Sequence, residues 1–525
     1  MSQIKIKRAL LSVSNKEHLI ELAKTLTTHG VELIASGGTR KMLEDSNFSV
    51  TAVEKITGNP EAFGGRMKTL SFQISSSLLF RRDHKTDLEE SASLGIEPID
   101  LVVCNLYPFE EVVRKKGELE ELIENIDIGG PTMVRSAAKN FKWVSTLTNP
   151  NQYKDFIKEL DANVGCVSLE TRKNLALDAF RLTSRYESAI AFALEGKFEK
   201  QLRTIALDPG KASELRYGEN PHQKGWVYPS AGAAGLASLK PLQGKALSYN
   251  NLLDSDAAWK TCNDLHQLKD PKFPAAVVVV KHLNPCGASI AKNSLEALEL
   301  AWNGDPVSSF GSIVAFNSEV KEEEALWLSN KFVEVIIATN FSDKALELFS
   351  SKKNLRLLIL PPIEKEMEEL VVRSIYGGYV VQEEDIGFDR EFQNMTEVPF
   401  PAGKVPLAQF GVMAGKHLKS NAIVLVAESG AGISIIGAGM GNPNRLISLR
   451  QAADKARDNG HKNLGQAVLV SDAFFPFPDN IEMANSEGIK HIVEPGGSIK
   501  DQAVIDKANE FNMSMVFTGR RHFRH

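Results

Sequence analysis

Every residue of the run 275–280 is apolar, so a strand built from it has no face to give to water. Such strands sit in sheets covered by helices on both sides. The run stops at Lys281 and His282, and Asn284-Pro285 predicts a turn directly after them. Alternate side chains of a strand point to opposite faces, so the pair diverges unless the strand ends there. Desolvation, or a neighbouring positive charge, can lower the pKa of a lysine or histidine at the end of a buried strand, and a base so tuned works near neutral pH. A snorkelling lysine beside a hydrogen-bonded core histidine fits the same letters.

The first two hundred residues alternate strand and helix patterns. Residues 4–13 read as one strand, 17–29 have helical spacing, "VELIAS" is a strand, and "GGT" turns into a further helix. "IDLVVCNLYPF" and "WVSTLT" are apolar strands, and "DIGGPTMVRSAAKN" is a glycine turn into a helix. Short links between these predict a doubly wound parallel sheet, with ligands at the carboxyl ends of its strands. The informative residues fall there: the turn Ser36, Gly37, Gly38 and Thr39; Arg66, Lys68 and Thr69 in a glycine-introduced loop; Asn105 and Tyr107 after a strand; Asp127 at a turn, with Lys139 beyond it. A phosphate-type turn beside Lys, Tyr, Asp and Asn points to acid–base chemistry on a phosphorylated small molecule. Each motif alone also fits a plain turn, a solvated basic loop or a packing tyrosine.

A chain of 525 residues exceeds one ordinary core. Residues 169–194 are helical by spacing, and the segment after them loses periodicity and gains charge, glycine and proline. This puts a boundary near residue 200, giving domains 1–200 and 201–525. Past it, Arg216, Tyr217, Asn220, His222 and Gln223 crowd one loop, a density of donors more typical of function than of connection. Asn251 stands at a helix start, where capping is the simpler reading. Phe310 and Gly311 sit at a turn, and Asn421 enters a strand. "IIGAGMGNPNR" has G-x-G-x-G spacing, not the G-x-G-x-x-G of a dinucleotide fingerprint. "PAAVVVVKHLNPCG" and "GKHLKSNAIVLV" both carry Lys-His beside an apolar strand and an asparagine, an echo that two related subdomains or chance would produce. The last residues, "TGRRHFRH", read as a solvated basic tail, with Phe523 a hint of docking.

Lys plus Arg is 61 and Asp plus Glu is 66, a balance of 61 − 66 = −5 that argues against a dedicated nucleic-acid binder. The four cysteines are scattered, with no C-x-x-C pair, so a disulfide framework is not expected and a reducing cytoplasm fits. No signal peptide is read at the start, and no apolar run reaches the ~20 residues of a membrane helix. A zinc-dependent deaminase needs P-C-x-x-C, but Cys286 is followed by Gly-Ala-Ser.

Taken together, "LLSVSNK", "SGGT", "GGRMKTL", "CNLYPF", "DIGGPTMVRSAAKN", "LRYGENPHQ", "VVVKHLNPCGA", "DPVSSFG", "FVEVIIA", "KSNAIV", "IGAG", "SDAFFPFPD", "PGGSIKD" and "VFTGRRHFRH" resemble one family over essentially the whole chain. It is the bifunctional purine biosynthesis family that joins aminoimidazole carboxamide ribonucleotide (AICAR) formyltransferase to inosine monophosphate (IMP) cyclohydrolase. The resemblance implies an N-terminal domain like methylglyoxal synthase and a C-terminal pair of α/β subdomains like cytidine deaminase, without its zinc. It implies formyl transfer from 10-formyltetrahydrofolate to AICAR, then dehydrative ring closure of formyl-AICAR to IMP. Folate is a co-substrate, no metal or prosthetic group is required, and a structural monovalent cation is admitted. The implied assembly is a cytoplasmic homodimer with shared formyltransferase sites and no nucleic-acid or membrane partner.

By the same resemblance, His282 takes the proton from the attacking amine, Lys281 raises its reactivity, and Asn421 helps position the formyl group. Arg216, Tyr217, Asn251, Gly311, Glu334 and Arg521 would hold AICAR, and Ile436, Phe474, Asp479 and Ser498 would line the folate side. For ring closure Lys68, Tyr107, Asp127 and Lys139 would act on the formamide and carboxamide. Ser14, Lys16, the 36–39 turn, Arg66 and Thr69 would hold the nucleotide, and Asn105 counts with the substrate-binding residues. The chain departs from the family where His-Pro and His-Gly-Gly usually follow "GRMKTL": here stand Ser71-Phe72 and Ser75-Ser76-Ser77. Phe141 likewise replaces the usual histidine after Lys139-Asn140. A second reading therefore keeps the formyltransferase and impairs ring closure.

Overall fold

The computed structural model describes residues 3–199, 212–229, 235–363, 370–387 and 390–525. The expected boundary at residue 200 lies outside them. The chain divides into one unit of Met1–Ser213 with Tyr228–Ala233, and another of Glu214–Val227 with Ala234–His525. Among the described residues, no helix is long and apolar enough to cross a membrane.

The first unit is built on β1 (Arg8–Val13), β2 (Glu32–Ala35), β3 (Val50–Ala52), β4 (Leu101–Asn105) and β5 (Ser145–Leu147), parallel throughout in the order β3-β2-β1-β4-β5. Alternation fills both faces. Ala9, Leu11 and Val103 pack with α1 (Leu19–Thr28), while Leu10, Ile34 and Val102 pack with α3 (Gly129–Lys139). Between them in the chain, α2 (Gly37–Asp45) follows β2 directly. The expected doubly wound parallel sheet is thus present. Residues 4–13 are not one strand, however. Gln3–Lys5 pairs antiparallel with Cys166–Ser168, and the buried Asp100 carboxylate takes the N–H groups of Lys7 (2.7 Å) and Arg8 (3.0 Å) where the path changes. The helical spacing at 169–194 corresponds to α4 (Leu169–Lys197).

The second unit contains an eleven-stranded sheet. In chain order its main strands are β6 (Ala275–Lys281), β7 (Asn284–Ala291), β8 (Ser312–Phe316), β9 (Val333–Ala338), β10 (Arg356–Ile359), β11 (Ile423–Glu428), β12 (Gly432–Gly439), β13 (Val468–Ser471), β14 (His491–Glu494) and β15 (Ser514–Phe517). Their order is β10-β9-β8-β6-β7-β12-β11-β13-β14-β15, with Gln393–Asn394 at the edge. β7 and β12 meet antiparallel at the centre, Ile290 opposite Ile433.

The same element series runs outward on each side of that centre. α5 (Tyr249–His266), the β6–β7 hairpin, α6 (Ser294–Asn303) and parallel β8, β9, β10 match α7 (Val405–Gly415), the β11–β12 hairpin, α8 (Arg445–Asp458) and parallel β13, β14, β15. The repeat is one of elements, not of the Lys-His letters: Lys281-His282 closes a strand, whereas Lys416-His417 precedes one. The first two glycines of "IIGAGMGNPNR" serve packing against α8, since a Cβ on Gly437 would lie 2.1 Å from Ala452 O and one on Gly439 2.0 Å from Ser448 O; the third, Gly441, has φ of 67°.

The turn after Lys281 also differs from expectation. Asn284-Pro285 does not make it; both residues lie in β7, Asn284 opposite Lys281 and Pro285 opposite Val280. The turn is His282-Leu283, with φ of 53° and 66°. Nor is the C-terminal tail solvated throughout. Ser420 N–H donates to Arg524 O (2.9 Å), His522 N–H to Asp472 O (2.9 Å), and His522 is buried against Asp385.

Candidate active sites

In the first unit the strand order reverses between β1 and β4, which opens a crevice at their carboxyl ends. Asn105 spans it. Its Oδ1 accepts from Ser14 N–H (2.7 Å) and Asn15 N–H (2.8 Å), and its Nδ2 donates to Asn15 O (2.8 Å). Its amide is therefore spent on shaping the loop that carries Ser14 and Lys16. Thr39 is spent likewise, its hydroxyl bonded to both N–H (3.0 Å) and O (3.2 Å) of Val13.

What stays open is the N-terminus of α2. The first helical N–H groups have no intrahelical partner. Ser36 supplies no capping bond, and its buried hydroxyl has no partner among the described residues. Two ammonium groups converge on this end: Lys68 Nζ lies 2.3 Å from where a Cβ of Gly37 would stand, and Lys16 Nζ 3.6 Å from that of Gly38. Helix N–H groups plus two cations form a cradle for a phosphate. Arg66 points elsewhere, paired with Glu124 on the surface.

Beside it lies the N-terminus of α3. Asp127 accepts from Gly130 N–H (2.7 Å), and its own N–H donates to Tyr186 Oη (2.8 Å). Burial raises the Asp127 carboxyl above its ordinary range, against the N–H groups of Gly130 and Tyr107. Burial also raises the Tyr107 phenol, helped by the charges of Asp127 and Glu61. Glu61 sits 3.3 Å from Lys68 Nζ, and Thr69 Oγ1 packs on Gly129. Lys68, Thr69, Tyr107 and Asp127 are thus brought together. Lys139 is not: it ends α3, exposed, ten residues past Gly129 and about 15 Å of helix rise away. Ser71-Phe72 and Ser75-Ser76-Ser77, which stand where the family usually has His-Pro and His-Gly-Gly, belong to a helix, Phe72–Leu79, and its cap, with Ser71 Oγ accepting Ile74 N–H (3.0 Å).

In the second unit the candidate residues line one edge of the sheet. β6 ends there and β8, β9 and β10 begin there, bringing Lys281, Gly311, Glu334 and Arg356 side by side. Lys281 Nζ donates to Gly311 O (2.8 Å), and Gly311 N–H to Phe332 O (2.8 Å). The exposed rings of Phe310 and Phe332 lie 5.1 Å apart beside them. Asn251 is indeed a capping residue, exchanging bonds with Ser248, but its Nδ2 also donates to Glu334 Oε2 (2.9 Å). Arg356 stands 3.9 Å from the same carboxylate, and Arg216 stacks on Tyr217, 4.8 Å from the ring centroid.

The second repeat meets the first through Asn284, whose Nδ2 donates to His282 O (2.9 Å) and whose Oδ1 accepts Lys419 N–H (3.1 Å). Asn421 follows two residues later. Its Oδ1 accepts from Arg445 Nη2 (2.7 Å) and its Nδ2 donates to Asn442 O (2.8 Å), so a buried Arg445–Asp472 pair fixes the amide. Phe474, Asp479 and Ser498 follow the ends of β13 and β14 on this edge, and Arg521 follows β15, lying over the Phe523 ring. Ile436 is different: it lies within β12, 3% exposed, packed on Leu449 and Ile492. A cavity of about 750 Å³ opens on the opposite edge, lined by His266, Lys292, Asn317 and Lys344, and holds none of the candidate residues. No group of three or more His, Cys, Asp or Glu side chains that could hold a metal occurs among the described residues.

Asp254, Asn284, Phe332, Arg356 and Arg445 were not singled out from sequence. Asp254 carried a usable signal, three residues after Asn251 on one helix face. Arg356 and Arg445 carried none.

A family model described as "AICARFT/IMPCHase bienzyme" matches residues 137–455, and one described as "MGS-like domain" matches residues 18–132. A curated relative, "Bifunctional purine biosynthesis protein PurH" of Halalkalibacterium halodurans, is 43% identical over 99% of this chain and 100% of its own length. The protein of that name from Enterococcus faecalis is likewise 43% identical, over 99% of this chain and 100% of its own. A solved structure titled "Crystal structure of ForH" is 36% identical over 36% of this chain and 97% of that one, with a TM-score of 0.33.

Proposed function

The chain belongs to the AICARFT/IMPCHase bienzyme family, and we propose that its two described sites divide the family's two reactions between them. The enzyme transfers a formyl group from 10-formyltetrahydrofolate to the AICAR amine, then closes formyl-AICAR to IMP with loss of water. Its small-molecule partners are AICAR, formyl-AICAR, IMP and folate. The reading that impairs ring closure has no support: the relatives match along the whole chain, N-terminal unit included.

Formyl transfer belongs to the second unit in this reading. The AICAR amine is a weak nucleophile because its lone pair is delocalised into the imidazole, so its proton must leave as it attacks. His282 takes that proton. Lys281, anchored on Gly311 O, places a positive charge by the developing oxyanion. Asn251, Glu334, Arg356, Arg216 and Tyr217 recognise AICAR, joined by Arg521. Asn421, Phe474, Asp479 and Ser498 serve the formyl and folate side. The observation that carries the assignment is the Lys281-His282 pair on the same sheet edge as the Asn251–Glu334–Arg356 set.

Ring closure belongs to the first unit in this reading, as formyl transfer does to the second. The phosphate rests on the α2 N-terminus with Lys16, Ser36, Gly37 and Gly38. Asp127 takes the carboxamide proton, and Lys68 and Tyr107 polarise the formyl oxygen that leaves as water. Neither step needs a metal or prosthetic group.

A cytoplasmic homodimer with shared formyltransferase sites completes the proposal. What supports it is the hairpin of Leu370–Ile375 and Gly378–Glu383, with Val372, Ile375, Tyr376, Tyr379 and Val380 exposed. An isolated hairpin is marginal in water, and such an apolar surface marks an interface. Four free cysteines fit a reducing compartment.

The test supplies each substrate separately. His282→Ala is expected to make nothing from AICAR yet convert formyl-AICAR to IMP. Lys68→Ala is expected to accumulate formyl-AICAR. Loss of both steps in both variants, with folding intact, overturns the division.

A further inference from the structure

The turn that carries His282 is built against its own sequence. A two-residue hairpin turn with positive φ at both central positions selects Asn-Gly or Asp-Gly. Here those positions are His282 and Leu283, at φ 53° and 66°. Left-handed backbone at residues other than glycine persists only where the surroundings enforce it. The corresponding turn of the second repeat, Ser429-Gly430-Ala431, has no residue at positive φ. Of the two corresponding turns, the left-handed backbone is therefore found only in the one that carries His282.

A side chain from outside the hairpin grips it. Asp254 lies on α5, one turn beyond Asn251, and its Oδ1 accepts Leu283 N–H at 2.7 Å. Burial raises the Asp254 carboxyl, while the N–H groups of Leu283 and His282 and the charges of His282 and Lys281 favour its ionised form. The opposite end of the turn is tied by Asn284 Nδ2 to His282 O. We propose that Asp254 is a positioning residue for formyl transfer: it holds the His282-Leu283 turn in its left-handed form and thereby sets His282 against the AICAR amine. The same helix face thus serves recognition through Asn251 and base placement through Asp254.

This rests on His282 being the transferase base, so His282→Ala is measured alongside. Asp254→Ala should lower kcat for formyl transfer about 10- to 100-fold, as loss of a buried charged acceptor does, with KM for AICAR within about threefold. Asp254→Asn keeps an oxygen for Leu283 N–H and should recover most of that loss. In Asp254→Ala, adding Leu283→Asn, a residue that tolerates positive φ, should restore part of the rate. Conversion of supplied formyl-AICAR to IMP should be unchanged in all of them. An unaltered kcat in Asp254→Ala, while His282→Ala is inactive, overturns the inference alone. So does equal damage in the Asn and Ala variants without rescue by Leu283→Asn, the result of a general packing defect. An active His282→Ala overturns the underlying assignment instead.

Discussion

Gly311 shows how tightly single residues are constrained at the sheet edge that carries Lys281. Its φ is 69°, and a Cβ there would lie 3.1 Å from the Phe332 ring and 3.2 Å from Lys281 Nζ. Gly311→Ala should therefore displace the lysine as well as strain the backbone, by about 1–2 kcal/mol for the latter. Steady-state assays should show a loss of formyl transfer with ring closure intact; equal loss of both steps would contradict this. Glu494 supplies a pH test. It is fully buried, with Oε2 on Phe475 N–H and Oε1 without a partner among the described residues, and burial pushes its pKa from 4.5 to about 8. Between those values the unfolded chain has released the proton and the folded chain keeps it, so stability falls as pH rises. Glu494→Gln should gain little at pH 4.5, progressively more towards pH 8, and no more beyond. A Tm difference that is flat with pH would rule this out. The placement of Lys281-His282, the 36–39 turn and Asp127 at strand ends and helix starts was legible in sequence, because apolar runs and glycine turns are local patterns. What was not legible depends on distant partners. Nothing in "NRLISL" announces that Arg445 will clamp Asn421 and Asp472, and nothing near Asn105 or Thr39 tells that their polar atoms serve neighbouring backbone.

At the scale of elements, the second unit is two copies of one series joined back to back through β7 and β12. Short apolar strands and helical spacing were readable, but their pairing across the centre was not. The antiparallel contact joins residues about 140 apart in the chain, and no local pattern encodes it. The hairpin turn was misplaced for a related reason. Proline signals a break, yet Pro285 is accommodated within β7 where the register shifts between Val279 and Val280, a bulge position that tolerates it. Close strand–helix approach is the element-level requirement that glycines meet. A Cβ on Gly287 would lie 1.7 Å from Ala301 O of α6. Gly287→Ala should force α6 off the sheet and destabilise the second unit by about 1–3 kcal/mol or more. Calorimetry should resolve a lowered transition for that unit. An unchanged Tm would show that the helix is free to shift at no cost.

At the scale of the whole molecule, one chain carries two units with separate cores; in the proposed division one takes a phosphate at a helix N-terminus and the other presents a base at a sheet edge. The intermediate is the product of one and the substrate of the other. The most direct test of this account is product identity: purified protein with AICAR and 10-formyltetrahydrofolate, the nucleotides separated by chromatography and identified by mass. IMP as the end product, with formyl-AICAR only transient, is the predicted result. Formyl-AICAR accumulating without IMP would contradict a working first unit, and neither product would contradict the account as a whole.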